Sequence, residues 1–297
     1  RRQRQMCIRD SHYTISEAWL DRVQEVLDYA VDDDMYVILN IHHDTDKEYC
    51  YPDKEHLEQS LSYMTFIWEQ LADRFGDYDE HVIFESINEP RLVETDHEWW
   101  LDMNAAECVE AVECINEWNQ NFVDVVRKTG GNNATRYLMV PGYDASADGV
   151  LNDKFVLPTD TAENEGKILV SVHAYIPYHF ALQAATENES IDQFNASEKT
   201  STNDIDQMME KLYAKYISNE IPVVIGEFGA RDKNGNLQSR VDYAAYYIAA
   251  ARAYGMSCNW WDNNAFTGDG ELFGLLDRKT VTWRYPKIVD ALMKYAE

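Results

Sequence analysis

The sequence predicts an α/β protein whose parallel strands, joined by helical crossovers, belong to a (β/α)8 barrel. Three observations predict it. Six apolar, β-rich runs alternate with amphipathic helical segments along the 297 residues, and such alternation means parallel strands with crossover helices. Polar residues stand at the C-terminal ends of five of those runs, after Ile41, Ile87, Val172, Ile225 and Asn259, where a barrel of this kind gathers its chemistry. Neither G-x-G-x-x-G nor G-x-x-x-x-G-K-[ST] occurs, so the phosphate turn often found at the switch point of a doubly wound sheet is missing.

The elements follow in order. Thr14 and Glu17 form a capping box ahead of Trp19, Val23, Val26, Leu27 and Ala30, whose spacing shares one helix face. The run at 35–41 is apolar on both faces and reads as a buried parallel strand ending in His42, His43 and Asp44. Leu57, Leu61, Met64, Trp68, Leu71 and Phe75 mark a second helix that stops at Gly76, and a strand follows at 81–87. A long helix over 105–128, closed by Gly130 and Gly131, precedes strands at 137–140 and 168–172. A polar loop then leads to a helix carrying Met208, Leu212 and Tyr216, a strand at 222–225, a helix over 241–254, a strand at 256–261 and a closing helix over 283–295.

Composition narrows the function. With 26 Lys and Arg against 53 Asp and Glu the net charge is −27, a field that opposes binding to nucleic-acid phosphates. Hydrophobic residues make up 45%, too many for a disordered chain, and no run approaches the roughly 20 apolar residues of a membrane span. Five scattered cysteines without a C-x-x-C pair argue against a zinc knuckle or a disulfide framework. Sequons at Asn133, Asn188 and Asn195 are frequent enough by chance to carry no argument.

Five segments carry chemistry: NIHHD at 40–44, FESINEP at 84–90, HAYIPY at 173–178, IGEFG at 225–229 and NWWDN at 259–263. A single carboxylate at a strand end is commonly a satisfied structural group. Glu89 and Glu227, on strands separated by two, form the acid pair that glycoside hydrolysis requires. In this order the five segments resemble the retaining β-glycanases of glycoside hydrolase family 5, from about Tyr13 to the C-terminus. The resemblance implies a (β/α)8 barrel, with Glu89 as acid/base and Glu227 as nucleophile. Retention in turn implies carboxyls about 5–5.5 Å apart.

The neighbours have matching expected uses, by their chemistry for Asn88, Tyr175, Asp262 and Asn263 and by the resemblance for His173, His42 and Trp261. Asn88 hydrogen-bonds the sugar 2-hydroxyl, Tyr175 donates to Glu227, and His173 lies near the acid/base. His42 matches the family's histidine, and His43 joins it if the chain has already turned into the loop. Trp261 aligns with the sugar platform while Trp260 packs inward; Asp262 and Asn263 face substrate hydroxyls. Trp99 and Trp100 either extend the cleft or pack. A metal reading of His42, His43, Asp44 and His173 is disfavoured, because adjacent histidines on a straight strand rarely chelate one ion and neither H-x-H nor H-E-x-x-H is present.

The family's first strand, first helix and arginine-bearing second strand have no counterpart before Tyr13, so the barrel is expected to lack its first two strands and first helix. Residues 1–12 are expected to be an unrelated or disordered leader, and 13–297 a single partial barrel domain. An arc with unpaired edges is expected to be poorly active by itself, while the full-length parent is expected to be an active, secreted or cell-surface monomer. The expected activity is a retaining endo-β-1,4-glucanase, without metal or cofactor, acting on a β-glucan and not on nucleic acid or membrane. Xyloglucanase, lichenase or xylanase activity is the nearest rival, with residues 177–203 deciding. A metal-dependent barrel hydrolase and a non-catalytic carbohydrate-binding protein are the rivals of other classes.

Overall fold

The computed structural model describes residues 13–268 and 270–296; the expected leader at 1–12 lies outside them. The chain divides into two compact units, one ending at Ser171 and one spanning Val172–Glu297. No described helix is long and apolar enough to cross a membrane.

In the first unit, α1 (Glu17–Asp32) begins later than the capping box suggests. Ser16 holds the extended N-cap position and makes no side-chain cap bond, and the helix buries Leu20 and Leu27. β1 (Val37–Asn40) is half-buried throughout, not buried as expected. Among the described residues it is an edge strand paired only to β2 (Val82–Glu85), which is fully buried. Parallel pairing continues to β3 (Leu138–Pro141) and β4 (Ile168–His173); β4 crosses the division at Ser171.

Two crossover helices cover this ladder. α2 (Leu57–Arg74) and α3 (Ala106–Lys128) present buried stripes to each other and to the sheet. Trp68 of α2 packs between Phe84 of β2 and Phe122 of α3, with ring centroids 5.4 and 4.6 Å away, and its Nε1 donates to Ser86 O at 2.9 Å. Large aromatic surfaces with their one polar atom paired are among the strongest contributors to a core. The short α4 (Ala147–Leu151) is capped by Ser146, whose Oγ accepts from Gly149 N.

Arg136, just before β3, is buried and holds the N-terminal end of the strands. Its guanidinium donates to the carbonyls of Phe75, Gly76, Tyr78, Asp79 and Val82 and to Asn133 Oδ1, at 2.6–3.3 Å. The planar five-donor fork suits a turn of converging carbonyls. Burial pulls its pKa down to about 10.

The second unit holds the end of β4, β5 (Val223–Phe228) and β6 (Ser257–Trp260), with β5 and β6 parallel and shifted in register between Ile225 and Phe228. Its helices are α5 (Tyr178–Ala181), α6 (Lys199–Lys215), α7 (Leu237–Ala253) and α8 (Pro286–Ala296). Phe228, Tyr243, Tyr247 and Trp260 form an aromatic core in which Phe228 and Tyr247 stack at 4.4 Å. α8 closes on α7 through Ala244, Leu275, Ile288 and Ala291.

The closing helix starts at Pro286, three residues after the expected Trp283. Proline suits a first helical turn, where its missing N–H removes no bond. Trp283 instead belongs to a hairpin of β7 (Leu276–Asp277) and β8 (Thr282–Trp283). Strands of two residues are too short to show a period-2 pattern.

Candidate active site

Each unit presents its chemistry at the C-terminal ends of its strands. In the first, the β1–β2 register sets Asn40 opposite Glu85, and the chain beyond β2 returns so that Asn88 N donates to Ile41 O at 2.8 Å. Asn40 Nδ2 donates to Glu85 Oε2 at 2.7 Å and to Asn88 Oδ1 at 3.4 Å, while Ser171 Oγ donates to Glu85 Oε1 at 2.5 Å. Glu85 is 2% exposed, so its carboxyl is tolerable only with such partners. Because Asn40 engages the oxygen of Asn88, the amide nitrogen of Asn88 is left as that side chain's donor toward other groups.

Glu89 follows on the turn after β2. Arg91 Nη1 donates to Glu89 O at 2.9 Å and lies 3.7 Å from Glu89 Oε2. The same guanidinium approaches Glu98 at 3.5 Å and stacks over exposed Trp99 at 4.0 Å. Trp100 is more exposed still. The rings of His42 and His43 meet edge to face at 4.6 Å. Asp44 Oδ2 accepts from Tyr63 Oη at 2.7 Å; burial raises the Asp44 pKa and this bond partly offsets the rise.

In the second unit, Ala174 N donates to Glu227 O at 2.9 Å, binding HAYIPY to IGEFG. Tyr175 Oη donates to Glu227 Oε2 at 2.6 Å, and His173 Nδ1 lies 3.7 Å from the same oxygen. A phenol donor at this distance favours the ionised carboxylate and fixes its rotamer. Gly229 lets the chain leave β5 close to Phe273, since a Cβ there would stand 3.1 Å from that ring.

Trp260 packs against Phe228 and Tyr243 and donates Nε1 to Phe273 O at 3.1 Å. Trp261 is half-buried, its backbone N donating to Phe228 O at 2.8 Å. Asp262 and Asn263 serve their own loop: the Asp262 carboxylate accepts from the backbone N–H groups of Asn264, Leu275 and Leu276, and Asn263 bonds Ala265 and Glu271. They order the loop that carries Trp261. Asp53, Glu55 and His56 bring ligand-type atoms within 4.8 Å of one another, with His56 Nδ1 2.7 Å from Asp53 Oδ1.

Glu85, Arg91 and Ser171 escaped the sequence reading. Glu85 lies inside FESINEP, and pairing β1 with β2 in register would have set it opposite Asn40. Nothing local marks Ser171, since its partner Glu85 comes from the fold; the partners of Arg91 lie within eight residues of it.

A model of the cellulases of glycosyl hydrolase family 5 matches residues 4–267. Endoglucanase B of Ruminococcus albus is 42% identical over 97% of this chain and 65% of its own length; Endoglucanase 1 of the same organism is 40% identical over 97% and 66%. The chain therefore spans just under two thirds of these curated relatives. Among solved structures, a family 5 lichenase from Caldicellulosiruptor sp. F32 is 59% identical with a TM-score of 0.96, over 98% of this chain and 77% of that one. At this identity and TM-score the (β/α)8 class holds, with six of its strands among the described residues. The chain belongs to glycosyl hydrolase family 5.

Proposed function

We propose that this chain carries the catalytic apparatus of a retaining endo-β-1,4-glucanase, with Glu227 as nucleophile and Glu89 as acid/base. The observation that carries the reading is the 2.6 Å bond from Tyr175 to Glu227 at the end of β5, because a nucleophilic carboxylate must be ionised and aimed. In the first step Glu227 attacks the anomeric carbon while Glu89 protonates the departing glycosidic oxygen. In the second, Glu89 takes a proton from water, which displaces Glu227 and restores the anomeric configuration. The reading requires both carboxyls at one acetal carbon.

The remaining residues act on binding. Asn88, its oxygen held by Asn40, donates to the sugar 2-hydroxyl, a bond that strengthens as the oxocarbenium-like transition state forms. Trp261 offers a ring face to a pyranose, with Asp262 and Asn263 holding its loop. His42, His43 and His173 are further candidates for bonds to sugar hydroxyls. No metal or organic cofactor enters these steps.

The substrate is a neutral β-glucan. The lichenase relative favours inclusion of mixed-linkage glucan, and xyloglucan and xylan are the nearest rivals. Hydrolysis of a polymer that cannot enter cells calls for a secreted or cell-surface enzyme. In the full-length protein, Glu227→Gly lowers kcat on barley glucan by about 10³-fold or more, and azide restores turnover with release of a glycosyl azide. Unchanged hydrolysis in the variant would remove the mechanism.

A further inference from the structure

We propose that Lys233 is a positioning residue for substrate recognition: it clamps the loop that follows Tyr175 to the segment that follows Glu227, and so sets the affinity for a β-glucan chain without touching it. This rests on the glucanase reading above. Lys233 lies six residues after Glu227 and is 1% exposed. Its Nζ donates to His179 O at 2.7 Å, Ser190 Oγ at 3.1 Å and Ile191 O at 3.2 Å. These acceptors lie on either side of the exposed residues 185–189, in the connection between β4 and α6.

The neighbours of Lys233 pull the same way. Arg231 N donates to Ala181 O at 3.0 Å, and Asn234 Nδ2 to Asp192 Oδ2 at 3.1 Å. Asp232 serves the opposite side: its N donates to Leu272 O at 2.9 Å and its Oδ2 accepts from Tyr285 Oη at 2.5 Å. Four consecutive residues thus tie the connections on both flanks of β5. Packing alone would be satisfied by an apolar side chain, whereas a buried ammonium costs free energy unless its donors are met. Three loop acceptors meet them here, beside the loop's own bonds from Ile191 N to His179 O at 2.9 Å and from Gln183 Nε2 to Asn188 O at 2.8 Å.

The test uses Lys233→Met in the full-length protein, read by steady-state kinetics on barley glucan and by amide hydrogen exchange. The expected result is a KM raised about fivefold or more with kcat within about twofold, the split of lost uniform binding. Exchange at 178–192 accelerates at least about tenfold while that of β5 is unchanged. An unmoved KM, or a fall in kcat that tracks global unfolding, overturns the proposal. If the variant does not fold, Ser190→Ala with Asn234→Ala loosens the same loop and must move KM in the same direction; no movement overturns it. A wild type silent on every β-glucan removes the glucanase reading, and the KM role with it, whereas exchange reports separately whether the clamp exists.

Discussion

Arg136 and Lys233 are both buried cations held chiefly by backbone carbonyls and not by carboxylates, yet Arg136 precedes the strand of its unit, β3, and Lys233 follows the strand of its own, β5. Arg136 gathers the turn at 75–82 below β2 and β3, where a barrel keeps its stability. Lys233 gathers the loop at 179–191 beyond β5, where a barrel keeps its chemistry. The difference in side chain follows the difference in task. A rigid fork with five donors suits a turn of converging carbonyls, whereas a single ammonium on a flexible stem reaches the two ends of a loop.

The largest effect that would sharpen this contrast is loss of the arginine. Arg136→Met removes the six hydrogen bonds of a buried guanidinium and is expected to cost about 3–5 kcal/mol of unfolding free energy, measured by urea denaturation, with KM unchanged in the protein that remains folded. Lys233→Met is expected to cost about 1–2 kcal/mol at pH 7 while raising KM. Equal effects of both variants on stability and on KM would break the distinction.

A smaller effect separates the two by pH. Burial, with Arg231 nearby, pulls the Lys233 ammonium down to about 8 from 10.5, against the raising influence of Asp192 and Glu187. The unfolded chain then binds more protons than the folded one between those values, so the contribution of this group to stability rises as pH climbs from about 8 to 10.5 and is lost as pH falls through 8. The gap in stability between wild type and Lys233→Met should widen over that window. For Arg136 the window opens only near 10, so wild type and Arg136→Met should run parallel from pH 7 to 9.5. The smallest change, Ser190→Ala, removes one of three acceptors and is expected to cost no more than about 1 kcal/mol.

The strands and helices with strong periods were legible in the sequence, as were the motifs at their ends. β5 is an apolar run broken by Gly226 and Glu227, and such a break is visible in any reading. The late start of α1 was not, because Thr14 and Ser16 are both acceptable N-cap types and packing of Ile15, 2% exposed, decides between them. The half-burial of β1 was hidden as well, since a run apolar on both faces does not reveal which neighbours it has. Asp262 and Asn263 were expected to face substrate hydroxyls; their bonds to the loop at 264–276 come from chain that returns to them and have no local signal.

Residue order by itself determined the alternation of elements, the strand ends that carry acids, and the family, because periodicity and short motifs are local properties of the chain. The tertiary structure alone decided that Glu85 lies against Asn40 and Ser171, that Tyr175 reaches Glu227, and that Lys233 meets His179 and Ile191. Such bonds join residues tens of positions apart, and only the register of parallel strands and the path of their loops brings those atoms within hydrogen-bond reach.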